Sequence, residues 1–184
     1  MKEYFKVGSV LLLVVAISCS ILAYVNTITE PLIEENNKKA AERAMQSVLP
    51  EATSFIERDF YFEAVRYGEI IGYVIQTNAT GYSGEIRTMV GLDLDLSVKN
   101  IFVLQQTETP GLGNKITGLN FTNQFKNLFK EEIRKFREGG RIVSISGATI
   151  SSSAVANSVR ESIERLENEL KSMEEIDGSM EQSD

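Results

Sequence analysis

The chain has 184 residues, 42% apolar and 24% charged, and its 19 basic and 26 acidic side chains give a net charge of −7. It contains one Cys and no His. This composition excludes a His- or Cys-ligated zinc, iron–sulfur or haem centre built within one chain, and also Ser-His-Asp or Cys-His catalysis. The acidic balance argues against nucleic acid as a partner. No metal ligands are predicted, so any redox chemistry would require an organic cofactor.

An uncharged apolar segment occupies residues 7–25, with the sequence VGSVLLLVVAISCSILAYV. As a helix it would span ~28 Å, close to the ~30 Å hydrocarbon core of a bilayer. A cleaved signal peptide is one alternative, but no A-x-A-like site follows. A lipoprotein leader ending at Cys19 is another, but the apolar run continues beyond the Cys. We therefore predict that residues 1–25 form a cytoplasmic N-terminus and an uncleaved transmembrane anchor.

The charges flanking this segment predict its orientation. Lys2 and Lys6 precede it, whereas Glu30, Glu34 and Glu35 follow it. Because basic residues favour the cytoplasmic side, we expect a single-pass protein of the cell inner (cytoplasmic) membrane, with the bulk of the chain extracytoplasmic. The lipid bilayer is thus one predicted partner.

A second helix is predicted immediately after the anchor. Apolar residues recur at mostly helical spacing over residues 30–49, and Pro50 ends the pattern. We predict a juxtamembrane segment over residues 26–50 and a folded domain over residues 51–175.

Between residues 54 and 106 the hydrophobic period changes to two. Four runs rich in β-branched and aromatic residues, bounded by turn signals, cover residues 60–65, 70–75, 86–92 and 98–104. They predict an antiparallel meander that needs helices on one face to close its core, and hence an α+β fold.

The second half of the chain is predicted to supply those helices. Residues 120–128 have the pattern of a short amphipathic helix, with residues 131–136 as a candidate extension, and residues 141–145 that of a last short strand. A long helix follows, with apolar residues at steps of three and four from Val155 to Met173. Beyond Met173 the chain is acidic and polar, and we predict a frayed or disordered tail over residues 176–184.

Two segments suggest chemistry beyond packing. Residues 144–153, SISGATISSS, place six hydroxyls around a Gly-Ala step at the start of the long helix, where free N–H groups and the helix dipole suit a phosphate. The alternative is a purely structural N-cap cluster. Residues 108–114, ETPGLGN, form a loop able to lay bare backbone against a flat ligand, or an ordinary turn.

Three motifs in this order resemble the RnfG/NqrC family of flavin-binding subunits. They are GYSG at residues 81–84, ETPGLG at 108–113 and SGAT at 146–149, preceded by the single span. The resemblance implies a curved antiparallel sheet packed against helices, and FMN carried by Thr149 through a phosphoester bond, which would make the chain a phosphoprotein with covalent flavin. The other residues that we assign to the cofactor site are Ser146, Gly147, Ala148, Ser151, Glu108, Thr109, Gly111 and Leu112.

The resemblance also implies a function. It is most like the G subunit of an Rnf complex, a translocase that moves electrons between ferredoxin and NAD and couples this to Na⁺ or H⁺ transport. The chain would then be an electron-carrying subunit rather than a stand-alone enzyme. Its partners would be the other Rnf membrane subunits, together with a flavin transferase that attaches the FMN from FAD with Mg²⁺.

Two positions depart from the family pattern. Val143 stands where the flavinylation motif usually has Asp, and Gln106 where the loop often has His. The transferase could tolerate Val143, attachment could be inefficient, or FMN could be held non-covalently. Two other functions stay open: the C subunit of a Na⁺-pumping NADH:quinone reductase, and a membrane-anchored binding or structural module without flavin.

Overall fold

The computed structural model describes residues 2–135 and 139–181. The chain divides into two units, Met1–Ala40 and Ala41–Asp184. In the first unit, residues 2–40 belong to helix α1, which spans Lys2–Val48 and contains Pro31. The two predicted helices are therefore one continuous helix.

The N-terminal part of α1 has the properties of a membrane span. It is long and apolar enough to cross a bilayer, and none of its most apolar segment is buried within the described structure. Hydroxyl side chains of this part donate hydrogen bonds to carbonyl oxygens of the same helix. Ser20 donates to the carbonyl of Ala16 at 2.7 Å, and Thr27 donates to the carbonyl of Ala23 at 2.9 Å. Such internal pairing suits a helix in lipid, where water cannot satisfy polar groups.

The second unit is built on a five-stranded antiparallel meander in the order β1-β2-β3-β4-β5. The strands are β1 Ser54–Glu57, β2 Tyr61–Arg66, β3 Glu69–Thr80, β4 Glu85–Asp93 and β5 Val98–Gln106. The four predicted runs are confirmed as β2 to β5. The sequence did not reveal β1, because its four residues are almost all exposed and lack an apolar alternation.

One face of the sheet packs against α3, Thr149–Glu181. Val155, Val159, Ile163 and Leu166 are buried in this core, as their spacing predicts. The helix continues to Glu181, whereas the sequence predicts a frayed or disordered tail beyond Met173. Residues 182–184 of that predicted tail lie outside the described residues.

The other face of the sheet is also covered, which corrects the prediction of helices on one face only. Ala44, Met45 and Val48, at the end of α1, pack on Val74 and Met89 in a second core. A Cβ at Gly91 of β4 would lie 2.7 Å from the carbonyl oxygen of Val48, so only Gly allows this close approach of helix to strand.

The chain between β5 and α3 is mostly irregular. It contains α2, Leu119–Thr122, flanked by 3-10 turns at Gly113–Thr117 and Asn123–Phe125. The predicted helix over residues 120–128 is thus only partly confirmed, although Phe121, Phe125 and Leu128 are buried as expected. Residues 131–135 form turns rather than a helical extension, and residue 136 lies outside the described residues.

The predicted strand over residues 141–145 is wrong. A single parallel bridge joins Ile142 to Lys135, and residues 143–145 belong to no strand. The side-chain amide of Gln124 takes the place of a partner strand. It accepts a hydrogen bond from the N–H of Val143 at 2.7 Å and donates to its carbonyl oxygen at 3.2 Å.

An ion-pair cluster connects α3 to the preceding loop, and it should make the stability of the domain depend on pH in the acid range. Hydrogen bonds from Lys130, and then from Lys171, lower the pKa of Glu167. This contribution to stability is present above the ordinary Glu pKa of ~4.3 and is lost as pH falls through the lower native value. We expect Glu167→Gln to reduce the free energy of unfolding by about 0.5–1 kcal/mol at pH 7.

The difference between wild type and Glu167→Gln should shrink as pH falls through the lowered native pKa of Glu167, and should disappear once that carboxyl is protonated. Urea unfolding of the full chain in detergent, at pH 7 and over a series of acid pH values, measures it. Glu69→Gln, an exposed change at the start of β3, is the control. A difference that persists at low pH would show that Glu167 acts through packing rather than charge.

Candidate functional site

The loop after β5 is shaped by its own hydrogen bonds. The N–H of Gly111 donates to Oδ1 of Asn114 at 2.8 Å, and the N–H of Leu112 to the carbonyl of Thr109 at 3.2 Å. Gly111 has φ +78°, a conformation that favours Gly. Within this loop, the side chains of Thr109 and Leu112 are exposed.

A tight turn leads into α3. The N–H of Ala148 donates to the carbonyl of Ile145 at 2.9 Å, and Gly147 within the turn has φ +80°. A Cβ at Gly147 would lie 3.2 Å from Cδ2 of Leu112. Because Gly147 has no side chain, the turn approaches the loop after β5 with bare backbone.

The hydroxyls of the Ser-rich segment divide into two groups. Ser152 accepts a hydrogen bond from the N–H of Ile145 at 3.1 Å and donates to the carbonyl of Ala148 at 2.8 Å, and Ser153 donates to the carbonyl of Thr149 at 2.6 Å. These bonds are structural, but they are not N-cap bonds, because both hydroxyls donate to the carbonyl four residues earlier in the chain. Thr149 and Ser146 are instead exposed.

A cleft of about 420 Å³ lies between four segments. They are the turn between β3 and β4, the loop after β5, the tight turn at Gly147, and the first turn of α3. This volume lies in the range of ligand sites, ~300–1,000 Å³. The cleft is lined by Tyr82, Glu108, Thr109, Leu112, Gly113, Gly147, Ala148, Thr149, Ile150 and Ser151. Tyr82, Leu112 and Ile150 are largely exposed, so the cleft presents an apolar surface next to the hydroxyl of Thr149.

A second cavity of about 390 Å³ adjoins the first. Ser146 and Val143 line it, and Thr149 and Gly147 border both cavities. The structure therefore brings seven of the nine predicted site residues to one cleft. Ser146 lines the neighbouring cavity, and Gly111 lines neither.

This arrangement has room for a flat cofactor beside the N-terminus of a helix. Thr149 is exposed and is the first residue of α3. At this N-terminal end of the helix, backbone N–H groups lack helical partners and the helix dipole has its positive end. The apolar side chains suit a flat ring, and the bare backbone at Gly147 gives such a ring room to approach.

The residues that line the cleft lie within a known domain family. Residues 81–164 match the family model of the FMN-binding domain. The chain is 31% identical over 177 residues to the G subunit of the ion-translocating oxidoreductase complex of Methanosarcina acetivorans, covering 89% of this chain and 94% of that protein. The chain belongs to the RnfG/NqrC family.

A second relative of this RnfG/NqrC chain is the G subunit of the Na⁺-translocating ferredoxin:NAD⁺ oxidoreductase complex of Acetobacterium woodii. The two are 32% identical over 194 residues, covering 91% of this chain and 93% of the relative. The fold is also that of the C subunit of the Na⁺-translocating NADH-quinone reductase from Parabacteroides distasonis. The two structures superpose with a TM-score of 0.54 at 20% sequence identity, and the match covers 71% of this chain and 92% of the other chain.

Sequence reasoning missed Tyr82 and Ile150 as cleft residues of this RnfG/NqrC chain. Tyr82 lies in the GYSG turn, which is among the motifs of the family, so its position in that motif was an available signal. Ile150 follows Thr149 directly and is exposed although it is a large aliphatic residue on a helix. Ile150 lies five residues before Val155, off the steps of three and four that mark the buried face, so this spacing was an available signal.

Proposed function

We propose that the chain is the FMN-carrying subunit of a membrane-bound Rnf-type electron transport complex, with FMN attached to Thr149 by a phosphoester bond. The observation that carries this proposal is the position of Thr149. Its exposed side chain lies on the first turn of α3, at the edge of an apolar cleft within the FMN-binding domain. When bound, FMN supplies one-electron and two-electron redox chemistry.

The residues of the chain would divide the work of holding this group. The N-terminal N–H groups of α3 would face the phosphate, as at other helix N-termini that bind anions. Tyr82, Leu112 and Ile150 would contact the ring and shield it from water. Thr109, Gly147 and Ala148 would approach it closely, and Ser146 would line the phosphate side from the neighbouring cavity.

The names of the relatives support the proposed assembly. A relative named as part of a ferredoxin:NAD⁺ oxidoreductase suggests that electrons pass between ferredoxin and NAD, coupled to Na⁺ or H⁺ translocation by other subunits. The proposed span carries no charge over residues 7–25, so this protein would not itself line an ion path. Its role is that of one electron carrier.

We also propose that α1 anchors the protein in the cytoplasmic membrane with the FMN-binding domain on the outer face. Lys2 and Lys6 precede the apolar segment, and Glu30, Glu34 and Glu35 follow it. This distribution supports a cytoplasmic N-terminus. A flavin transferase acting on the outer face would then reach Thr149.

Mass spectrometry of the chain co-expressed with an active flavin transferase tests the attachment. We expect the intact protein to gain the mass of one FMN, and a denaturing gel to show a fluorescent band under ultraviolet light. Trypsin should release residues 142–160, because Arg141 and Arg160 flank them. Fragmentation of that peptide should place the added mass on Thr149 rather than on a neighbouring Ser.

The alternatives give different results. Flavin that co-purifies but separates on denaturation would mean that Val143 prevents attachment and that FMN is held non-covalently. A chain without flavin in the presence of a working transferase would contradict the proposed function and favour a binding or structural module. The same chain without transferase is the control.

A further inference from the structure

Glu108 is a buried carboxylate at the base of the cleft, with only 5% of its surface exposed. Both of its oxygens are used within the protein. Oε1 accepts a hydrogen bond from the N–H of Ser83 at 3.1 Å, and Oε2 accepts one from the hydroxyl of Ser151 at 2.7 Å. The N–H of Glu108 itself donates to Oε1 of Gln106 at 2.6 Å. Glu108 is thus held at three points.

Two glycines leave the space that this side chain occupies. A Cβ at Gly113 would lie 2.6 Å from Oε2 of Glu108 and 2.7 Å from its Cβ, and a Cβ at Gly81 would overlap Oε1. Any larger residue at either position would displace the carboxylate. The loop after β5 and the turn between β3 and β4 are therefore both shaped around Glu108.

The two donors belong to separate segments that line the cleft. Ser151 lies two residues after Thr149 on the first turn of α3, and Ser83 follows Tyr82 in the turn between β3 and β4. Glu108 joins both segments to the loop after β5, and the hydroxyls of Ser83 and Thr109 share a further hydrogen bond of 3.3 Å between the β3–β4 turn and this loop. Hydrogen bonds to a buried charged acceptor are stronger than those between neutral groups, so this connection is well suited to fix the segments.

We propose that Glu108 is a positioning residue that holds Thr149 and Tyr82 in the arrangement needed for FMN, and that it is not itself a ligand of the phosphate. This inference rests on the proposed function. In this proposal Glu108 acts through its hydrogen bonds to Ser83 and Ser151, in place of the direct cofactor contact that the sequence predicts for it.

The proposal has an electrostatic consequence. Both donors to the carboxylate are neutral groups, so hydrogen bonding does not cancel its negative charge. Glu108 lines the same cleft as Thr149. A negative charge beside a flavin disfavours the reduced form, which carries more negative charge than the oxidised form. Glu108 should therefore lower the midpoint potential of the bound flavin.

Two substitutions separate the hydrogen bonds from the charge. Glu108→Ala removes both. Glu108→Gln keeps both hydrogen bonds, because its amide oxygen can accept from Ser83 and its amide N–H can donate to the hydroxyl of Ser151. Glu63→Ala is the matched control: Glu63 is also a buried Glu, 8% exposed, and it accepts a hydrogen bond from Arg58 at 2.8 Å on β2, outside the cleft lining.

The experiment measures three quantities on the full chain in detergent: the free energy of unfolding in urea, the initial rate of covalent FMN attachment by mass spectrometry, and the midpoint potential of the attached flavin. We expect Glu108→Ala to lower the attachment rate on the order of tenfold or more, as for misplacement of a reacting group. Glu63→Ala should lose stability but keep the wild-type rate. Glu108→Gln should keep most of the rate and shift the potential to a more positive value.

The results that overturn the proposal are distinct from failure of the proposed function. If the wild-type chain takes no FMN, the proposed function fails and this inference fails with it. If the wild type is labelled and Glu108→Ala is labelled as fast as Glu63→Ala, only the positioning role is wrong. An unchanged potential in Glu108→Gln would overturn the location of the carboxylate beside the flavin.

A second variant keeps the test decisive if Glu108→Ala does not fold. Ser151→Ala removes one of the two hydrogen bonds and leaves the carboxylate in place. We expect it to lower the attachment rate in the same direction and by less. A wild-type rate in Ser151→Ala would overturn the proposal.

Discussion

A chain with Thr149→Ala is expected to fold normally and to take up no covalent FMN. The substitution removes the hydroxyl that would form the phosphoester bond, so the loss of label should be complete. Thr149 is exposed and is the first residue of α3 rather than a buried part of its packing. Its replacement should therefore change the free energy of unfolding by less than about 1 kcal/mol. Fluorescence on a denaturing gel and urea unfolding measure the two effects.

The neighbouring hydroxyl of Ser153 supplies the control for Thr149. Ser153 donates to the carbonyl of Thr149 and does not line either cavity, so Ser153→Ala should be labelled like the wild type. Label that persists in Thr149→Ala but disappears in Ser146→Ala would move the attachment site to Ser146. A large loss of stability in Thr149→Ala would show that its hydroxyl has a structural role, and would count against Thr149 as the attachment site.

Val159→Asp is expected to unfold the unit from Ala41 to Asp184. Val159 is fully buried between α3 and the sheet, beside Val155 and Ile163. A lone carboxylate there loses its hydration and gains no partner, which costs roughly 4 kcal/mol or more, a large part of the ~5–15 kcal/mol that stabilises a typical domain. Loss of the cooperative urea transition and of near-ultraviolet circular dichroism would show the unfolding. Ile163→Asp should behave in the same way.

Val143→Asp is the matched control for Val159→Asp, because it makes the same chemical change at a side chain that is 58% exposed. The backbone of Val143 is held by the amide of Gln124, which the substitution does not alter. Its free energy of unfolding should stay within about 0.5 kcal/mol of the wild type. Equal destabilisation by the two substitutions would contradict the assignment of residue 159 to the core.

Helix α3 was predictable because its hydrophobic period is set by one buried face, over the spacing from Val155 to Leu166. Strands β2 to β5 were predictable from runs of β-branched and aromatic residues bounded by turn signals, although the sheet is covered on both faces. Prediction failed where local pattern and burial differ. Residues 141–145 have the composition of a strand, but the backbone of Val143 hydrogen-bonds to the side-chain amide of Gln124 instead of to a partner strand. Nothing in the local sequence indicates a partner 19 residues away.

The predicted site shows the same division. The family resemblance of the SGAT and ETPGLG motifs predicts Thr149 and Leu112 as site residues, whereas the local pattern alone leaves an N-cap cluster and an ordinary turn open. Both residues line the same cleft. The arrangement around Glu108 was not predictable. Its partners, Ser83 and Ser151, are separated from it by 25 and 43 residues, and both are of a type common in turns and caps.

The sequence by itself determined which cofactor classes are excluded and where a membrane span could lie, because these conclusions depend on residue types and local composition, which do not need the fold. The assignment of a phosphoester to Thr149 comes from the family resemblance of the motifs and stays a prediction. Only the tertiary structure decided that Tyr82, Leu112 and Ile150 share one cleft with Thr149, and that Glu108 connects its walls. Those relations arise from packing between segments distant in the chain, and their close contacts depend on glycines at positions 81 and 113.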